Sequence, residues 1–357
     1  MHPVPLSIHG RGATENPPNR FDRIELDPET EHGRAEDDPD VAPTTQYFRD
    51  TTRTIIAHND SPDVGFEYSI NPYRGCEHGC IYCYARPTHE YLSLSSGLDF
   101  ESKIFVKLQA AELLRHELSA RKWSRSPHTI SISGVTDCYQ PAEKRFRITR
   151  QCLEVLREFR NPLGIVTKSH LVTRDIDILS EMAKDNLAAV FVSITSLDPE
   201  IARKMEPRAA SPERRLDALR QLTAAGVPCG VMVAPVIPGL TDHEIPQILK
   251  AAADAGARTC GYVPVRLPFE IKNMFDTWLN QHFPDRAQKV LNRIRSIRGG
   301  KLNDSNFVTR MRGEGEFADQ MQQMFDLGKR KAGMDGPFPK LTTDLFRVPS
   351  GPQMSLW

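Results

Sequence analysis

Residues 71–91, NPYRGCEHGCIYCYARPTHEY, place Cys76, Cys80 and Cys83 in a C-x3-C-x2-C array. The array follows an apolar run, Phe66–Ile70, that has the make-up of a strand. The chain holds seven cysteines, an odd number, with three of them in this one loop, which is not the framework of a secreted disulfide fold. A zinc ion would need a fourth ligand, for which His78 and His89 are nearest, and zinc cysteine pairs favour C-x2-C spacing. A ferredoxin cluster needs four thiolates, and no fourth cysteine lies close by. Three thiolates on a four-iron cube leave one iron open to a ligand. The spacing favours that reading, with a zinc-binding structural or nucleic-acid-binding module as the alternative.

Working outward, β-branched and apolar runs predict six strands: Phe66–Ile70, Thr129–Val135, Gly164–Lys168, Ala188–Thr195, Cys229–Pro235 and Cys260–Val265. Segments of helical spacing lie between them. In Pro212–Ala225, Leu216, Leu219 and Leu222 share a face, Ser211 is a natural N-cap, Pro212 suits the first helical position and Gly226 suits the position after the end. Asp242–Gly256 repeats the pattern, with Ile245, Ile248, Leu249 and Ala252 facing inward. Thr149–Phe159, Arg174–Asp185 and an inserted Leu108–Lys122 complete the set. Strands each followed by a helix imply a parallel sheet, because parallel neighbours need crossover connections. The result is an α/β fold, either a partial (β/α)6 barrel or an open doubly wound sheet.

Three regions are expected. Residues 1–50 form a polar arm with eleven acidic and five basic side chains and no periodicity, expected to be largely disordered, with ordered structure beginning near Thr54. Residues 51–299 form the strand–helix region. Residues 300–357 form an extension with one amphipathic helix, Gly315–Lys331, and a proline-rich tail. Lys+Arg and Asp+Glu are both 46, so overall charge names no partner. MHPVPLSIHGRG lacks the apolar core of a secretory signal, and no apolar run is long enough to span a bilayer. The expected location is therefore cytoplasmic, a reducing compartment that suits an oxygen-sensitive cluster.

The cysteine array, with Tyr82 before its third member, resembles the radical S-adenosylmethionine superfamily over roughly residues 60–270. Within it the chain resembles the spore photoproduct lyase branch, the DNA repair lyases, and an uncharacterised bacterial subgroup of that branch. Tyr82 and Tyr84 flank the third cysteine, DFESKIFVK spans 99–107, and SGVTD spans 133–137. The resemblance implies a partial (β/α)6 TIM-like barrel with a 4Fe–4S cluster on Cys76, Cys80 and Cys83. S-adenosylmethionine would lie across the strand ends, and a reductase or a flavodoxin- or ferredoxin-type donor would supply electrons. Reductive cleavage would yield a 5′-deoxyadenosyl radical that takes hydrogen from a substrate, with a nucleic acid expected by similarity. A barrel that keeps its cluster but has lost catalysis is a further alternative.

The resemblance also assigns roles at the cofactor. Thr136 and Asp137 would receive the amino group, Lys168 and Arg208 would meet the carboxylate, and Ser193 the ribose or carboxylate. Ala234 and the backbone of Tyr82 would meet adenine. Photoproduct lyases return hydrogen through a cysteine on the second strand. Aligned on Asp137, that position here is Gly134, which leaves Tyr84 and Cys138 as candidates for the radical chemistry. Cys138 also has a structural reading, as a small buried residue.

Overall fold

The computed structural model describes residues 8–21, 43–307 and 309–349. Ten strands are present: β1 (Gln46–Arg49), β2 (Ile56–His58), β3 (Tyr68–Ile70), β4 (Tyr73–Arg74), β5 (Lys103–Val106), β6 (Ile130–Ile132), β7 (Leu163–Thr167), β8 (Ala188–Ser193), β9 (Cys229–Val236) and β10 (Thr259–Pro264). Seven of them form one sheet in the order β10-β9-β8-β7-β6-β3-β2. From β3 to β10 every pairing is parallel, while β2 runs antiparallel to β3 at the edge. These six parallel strands are the six predicted from the apolar runs, and they form an arc whose edges, β10 and β2, do not pair. The fold is the expected partial barrel.

Helices fall where periodicity places them, with boundaries shifted by a few residues. Pro212–Ala224 begins on Ser211, whose side chain accepts from the Arg214 amide, and ends before Gly226 at φ +80°. Ile245–Asp254 buries Ile245, Ile248, Leu249 and Ala252 as expected. Pro199–Met205, Ile271–His282 and Pro284–Ser296 are additional helices. The second carries Ile271, Met274, Phe275, Trp278 and Leu279, a full helical stripe that the strand–helix alternation passes over. With Val290, Leu291 and Ile294 these side chains make a second core beneath the barrel mouth, and Cys80, Ile81 and Tyr82 are packed into it. The cysteine loop therefore rests on helices that lie beyond the sixth strand.

The N-terminal arm divides. Residues 1–7 and 22–42, where disorder is expected, lie outside the described residues. Residues 8–21 pack against the cysteine loop, with Ala13 buried in the second core. Ordered structure also precedes Thr54, because β1 joins β5 and β4 in a small separate sheet. At the other end, the helix Glu316–Lys331 shares the main core through Ala318, Met321 and Phe325. Phe325 packs on Tyr262 of β10 at a ring separation of 4.7 Å. The tail then ties to the barrel where the Arg347 amide donates to the Phe159 carbonyl (2.9 Å) and the Thr342 amide to that of Asn186 (3.1 Å).

If the C-terminal helix belongs to the same cooperative unit as the barrel, Phe325→Ala removes a buried ring and costs about 3–5 kcal/mol. The urea midpoint should fall accordingly. An unchanged midpoint would show that the helix unfolds independently of the barrel.

Candidate active site

The cysteine loop leaves β4 through Gly75, whose φ of +78° is a left-handed conformation that favours glycine. The Cys76 amide donates to the Phe100 carbonyl (2.9 Å), which fixes the first cysteine to the DFESK segment. Gln140, beyond β6, clamps the same turn from the other side. It accepts from the Glu77 amide (2.9 Å) and donates to the Gly75 carbonyl (3.0 Å). Gly79, at φ +67°, reverses the chain toward Cys80. Arg86 then gathers the far end, donating through Nε to the Cys80 carbonyl (3.0 Å) and through Nη1 to those of Ser96 (3.2 Å) and Gly97 (3.0 Å). Its Nη2 pairs with Glu101, and neither side chain has solvent exposure.

Glu101 also receives the N-terminal arm. Its carboxylate accepts from the Gly12 amide (3.0 Å) and the Ala13 amide (2.8 Å), and its carbonyl accepts from Arg11 (2.8 Å). Gly12 lies so close to the loop that a Cβ there would sit 1.8 Å from the Gly79 carbonyl oxygen. Neither the arm nor Glu101 is marked as part of the site by local sequence pattern. The signal for Glu101 was the acidic–aromatic–Lys run, which carries no indication of what the acid binds.

All three thiols are free. Cys83 packs against two buried groups of side chains, one containing Cys76 and the other Cys80. Burial raises the pKa of each thiol, most of all that of Cys80, which Glu206 raises further. Opposing this, Arg86 and the backbone N–H groups of Ala85 and Arg86 favour the Cys83 thiolate, and Lys168 favours those of Cys80 and Cys83. Among the described residues no three His, Cys, Asp or Glu side chains converge on the volume of one metal ion. Each histidine considered as a fourth ligand has one ring nitrogen turned to another group, while His89 Nδ1 is buried without a partner. His78 Nδ1 faces Asp137 at 3.5 Å, and His89 Nε2 meets the Lys103 carbonyl at 2.9 Å. This donor set fits a three-thiolate cluster.

The strand-end residues separate into two groups. Lys168, at the end of β7, is half-buried, with Nζ donating to the Ala234 carbonyl (3.3 Å) and 5.9 Å from the Tyr82 ring. Burial lowers its pKa while the nearby thiols and Asp137 raise it. Tyr82 is buried, and its hydroxyl donates to Glu206, itself paired with the buried Arg215. Arg215 Nη1 holds the Ser193 carbonyl at 3.1 Å, so β8 and the cysteine loop share one ion pair. Tyr84 is half-exposed and donates to the Gly134 carbonyl (2.9 Å). Its phenol is nonetheless pushed up to about 12, first by burial and then by Cys83. A ring wet on one side but set in low-dielectric surroundings is what a concave mouth produces.

Four expectations change. Asp137 is committed to the protein, accepting from Thr167 Oγ1 (2.8 and 3.0 Å), the Lys168 amide (2.7 Å) and the Tyr139 amide (2.8 Å). Those donors occupy both oxygens, so Asp137 ties the β6 loop to the end of β7. Thr136 is buried and donates to the Tyr73 carbonyl (2.9 Å), a further tie to the cysteine loop. Arg208 is balanced by Glu77 (3.0 Å) and bonded to Thr45 (3.2 Å), so its charge is not free for a cofactor carboxylate. Cys138 has no exposure and lies inside the main core, where burial raises its thiol pKa well above the ordinary value. Those surroundings fit its reading as a small buried residue.

Comparison with known proteins agrees with this arrangement. A family model described as the Radical SAM superfamily matches residues 70–252, just over half of the chain. An uncharacterised protein of Mycobacterium bovis is 39% identical over 63% of this chain and 66% of its own length, just under two thirds of that relative. The spore photoproduct lyase of Bacillus subtilis is 25% identical over 60% of each chain. A solved spore photoproduct lyase variant with bound AdoMet and dinucleoside spore photoproduct superposes with a TM-score of 0.57 at 19% identity, covering 80% of this chain and 78% of that one. The cysteine loop at the open ends of six parallel strands is thus held in a fold shared with that lyase, and the chain belongs to the radical SAM superfamily.

Proposed function

We propose that this protein is a radical SAM enzyme that holds a 4Fe–4S cluster on Cys76, Cys80 and Cys83 and takes a hydrogen atom from a nucleic acid. The observation that carries the reading is three free thiols in one buried loop, with Lys168 as the adjoining cation. When bound, the cluster supplies the electron that cleaves S-adenosylmethionine to a hydrogen-abstracting 5′-deoxyadenosyl radical. Lys168 offers a charge-assisted contact to the methionyl carboxylate, and that carboxylate restores the charge balance that burial disturbs. The Ala234 carbonyl orients the ammonium, Ser193 borders the ribose, and the Tyr82 backbone meets adenine. Thr136 and Asp137 keep the β6 loop registered against β7 and the cysteine loop, and so position these groups without contacting the cofactor.

The nucleic-acid reading rests on the relationship to spore photoproduct lyase. Electrons come from a reductase or a flavodoxin- or ferredoxin-type donor, and a reducing cytoplasm suits both the thiols and the cluster. No helix among the described residues is long and apolar enough to cross a membrane.

The close of the reaction differs from the lyase route. At Gly134 a Cβ would lie 3.1 Å from Ser69 Cβ and Oγ and 3.3 Å from Phe66 Cζ, so the position is packed for a residue without a side chain. Tyr84 is half-exposed and bonded to the Gly134 carbonyl. Its O–H hydrogen atom can pass to the substrate carbon, leaving a radical on the phenolic oxygen, which one electron from the external reductant and one proton from water then quench.

Two measurements test these assignments. After anaerobic reconstitution, Cys76→Ala, Cys80→Ala and Cys83→Ala should each lose most of the iron, while Cys138→Ala and Cys152→Ala keep it. Stoichiometric zinc without iron in anaerobically prepared wild type would overturn the cluster assignment. Lys168→Ala removes a contact worth on the order of 1.5–3 kcal/mol, so S-adenosylmethionine should bind roughly 10–150-fold more weakly by equilibrium dialysis. Wild-type affinity in that variant would show that another cation receives the carboxylate.

A further inference from the structure

Sheet order puts β10 at one edge of the arc and β3 and β6 toward the other, yet one side chain reaches across the gap. Arg266, two residues past the end of β10, lies 5.8 Å over the ring of Tyr84, whose hydroxyl is bonded beyond β6 at Gly134. The extension after residue 298 fills the rest of this seam. Arg298 is buried and donates to the carbonyls of Val265 (2.9 Å), Pro264 (3.3 Å), Arg310 (2.8 Å) and Thr309 (3.2 Å). Arg310 forms a two-pronged pair with Asp63, in the loop between β2 and β3.

Three guanidinium groups thus meet at the seam. Arg310 is paired with Asp63, and Arg298 donates through both terminal nitrogens to four carbonyls, although its Nε, like that of Arg266, is buried without a partner. The Nη1 of Arg266 reaches only the Met311 sulfur at 3.5 Å, a weak acceptor. Among the described residues no carboxylate lies within ion-pair distance of it. Burying a cation without a counter-charge is costly, and a guanidinium presents a planar fork of donors that matches a phosphate or carboxylate. Tyr84, the ring beside Arg266, is 51% exposed, and a second exposed ring, Phe307 (49%), lies 4.3 Å from the guanidinium of Arg310. A cation beside an exposed ring suits a single nucleic acid strand, whose phosphates alternate with stackable bases. An acidic peptide would use the cation and leave the rings without purpose.

We propose that Arg266 binds a phosphodiester of the substrate strand at the barrel seam and sets the adjoining base over Tyr84. This deepens the nucleic-acid reading above and rests on it.

The test is fluorescence anisotropy of the full-length, cluster-reconstituted protein with a labelled thymidine decanucleotide, at several salt concentrations under anaerobic conditions. R266Q should weaken binding about tenfold or more, and should flatten the slope of log affinity against log salt by about 0.7, the contribution of one phosphate contact on a single strand. R266K keeps the charge without the fork and should fall between the two. R330Q, at the end of the C-terminal helix, should bind as wild type does. Thermal melting of each variant separates a lost contact from a lost fold. If R266Q melts below the assay temperature, R266K decides the matter by the same readouts. Unchanged affinity and salt slope in the folded variants would overturn the proposal. So would absence of decanucleotide binding by wild type, or stronger competition from a glutamate decapeptide than from the unlabelled decanucleotide. Cleavage of S-adenosylmethionine by wild type is read separately, so failure of the enzyme assignment and failure of the anion site give different results.

Discussion

The pair formed by Arg86 and Glu101, both without solvent exposure, holds four separate stretches of chain in one place. Arg86 gathers the cysteine loop and the 95–97 turn through backbone carbonyls, and Glu101 gathers the N-terminal arm through backbone amides. Two charges taken out of water gain little net stability as a pair, but removing one partner strands the other, at about 3–5 kcal/mol. The pair therefore specifies geometry more than it adds stability. A loop of twelve or so residues carrying three metal ligands has little means of ordering itself, and here its ordering comes from charges placed by other parts of the fold. The contact of Gly12 with Gly79 follows from the same pair, because the two amides bonded to Glu101 draw the arm flush against the loop.

A second ion pair performs the corresponding task on the far side. Glu206 and Arg215 join the Tyr82 hydroxyl to the β8 backbone, and the amides of Ile81 and Arg208 complete the seam with the carbonyls of Met205 (3.1 Å) and His78 (3.2 Å). Between the two pairs Cys76 and Cys80 are buried and Cys83 is partly so, and burial raises the pKa of each thiol. Iron ligation must displace the thiol protons, which makes the neighbouring cations part of the site's chemistry. Lys168 and Arg86 lie near enough to favour the thiolates, while the more distant Arg208 is spent on Glu77.

Much of the fold was legible because it depends on local pattern. Six β-branched runs became six parallel strands, and Ser211, Pro212 and Gly226 bounded their helix by the backbone chemistry that makes those residues useful there. The family was legible for the same reason, since the spacing of Cys76, Cys80 and Cys83 is a local pattern within the matched region. What escaped was long-range. Nothing local reveals that Glu101 receives the amides of residues 12 and 13, or that Arg86 is buried. The polar make-up of residues 8–21 reads as solvated, yet that segment is held by backbone donors, which leave no trace in composition. Cys138 and Asp137 show the converse. Adjacent positions next to a strand end look equally functional, and only packing shows that one faces the core and the other has all its acceptors filled.

The account depends most on one iron of the cluster remaining open to S-adenosylmethionine, because the loop offers three thiolates. Electron paramagnetic resonance of the dithionite-reduced, reconstituted protein, recorded before and after addition of S-adenosylmethionine, tests this directly. The account predicts a reduced 4Fe–4S signal whose g-values shift on addition, as the amino acid end of the cofactor takes the open iron. A reduced cluster signal that stays unchanged at saturating S-adenosylmethionine would contradict it.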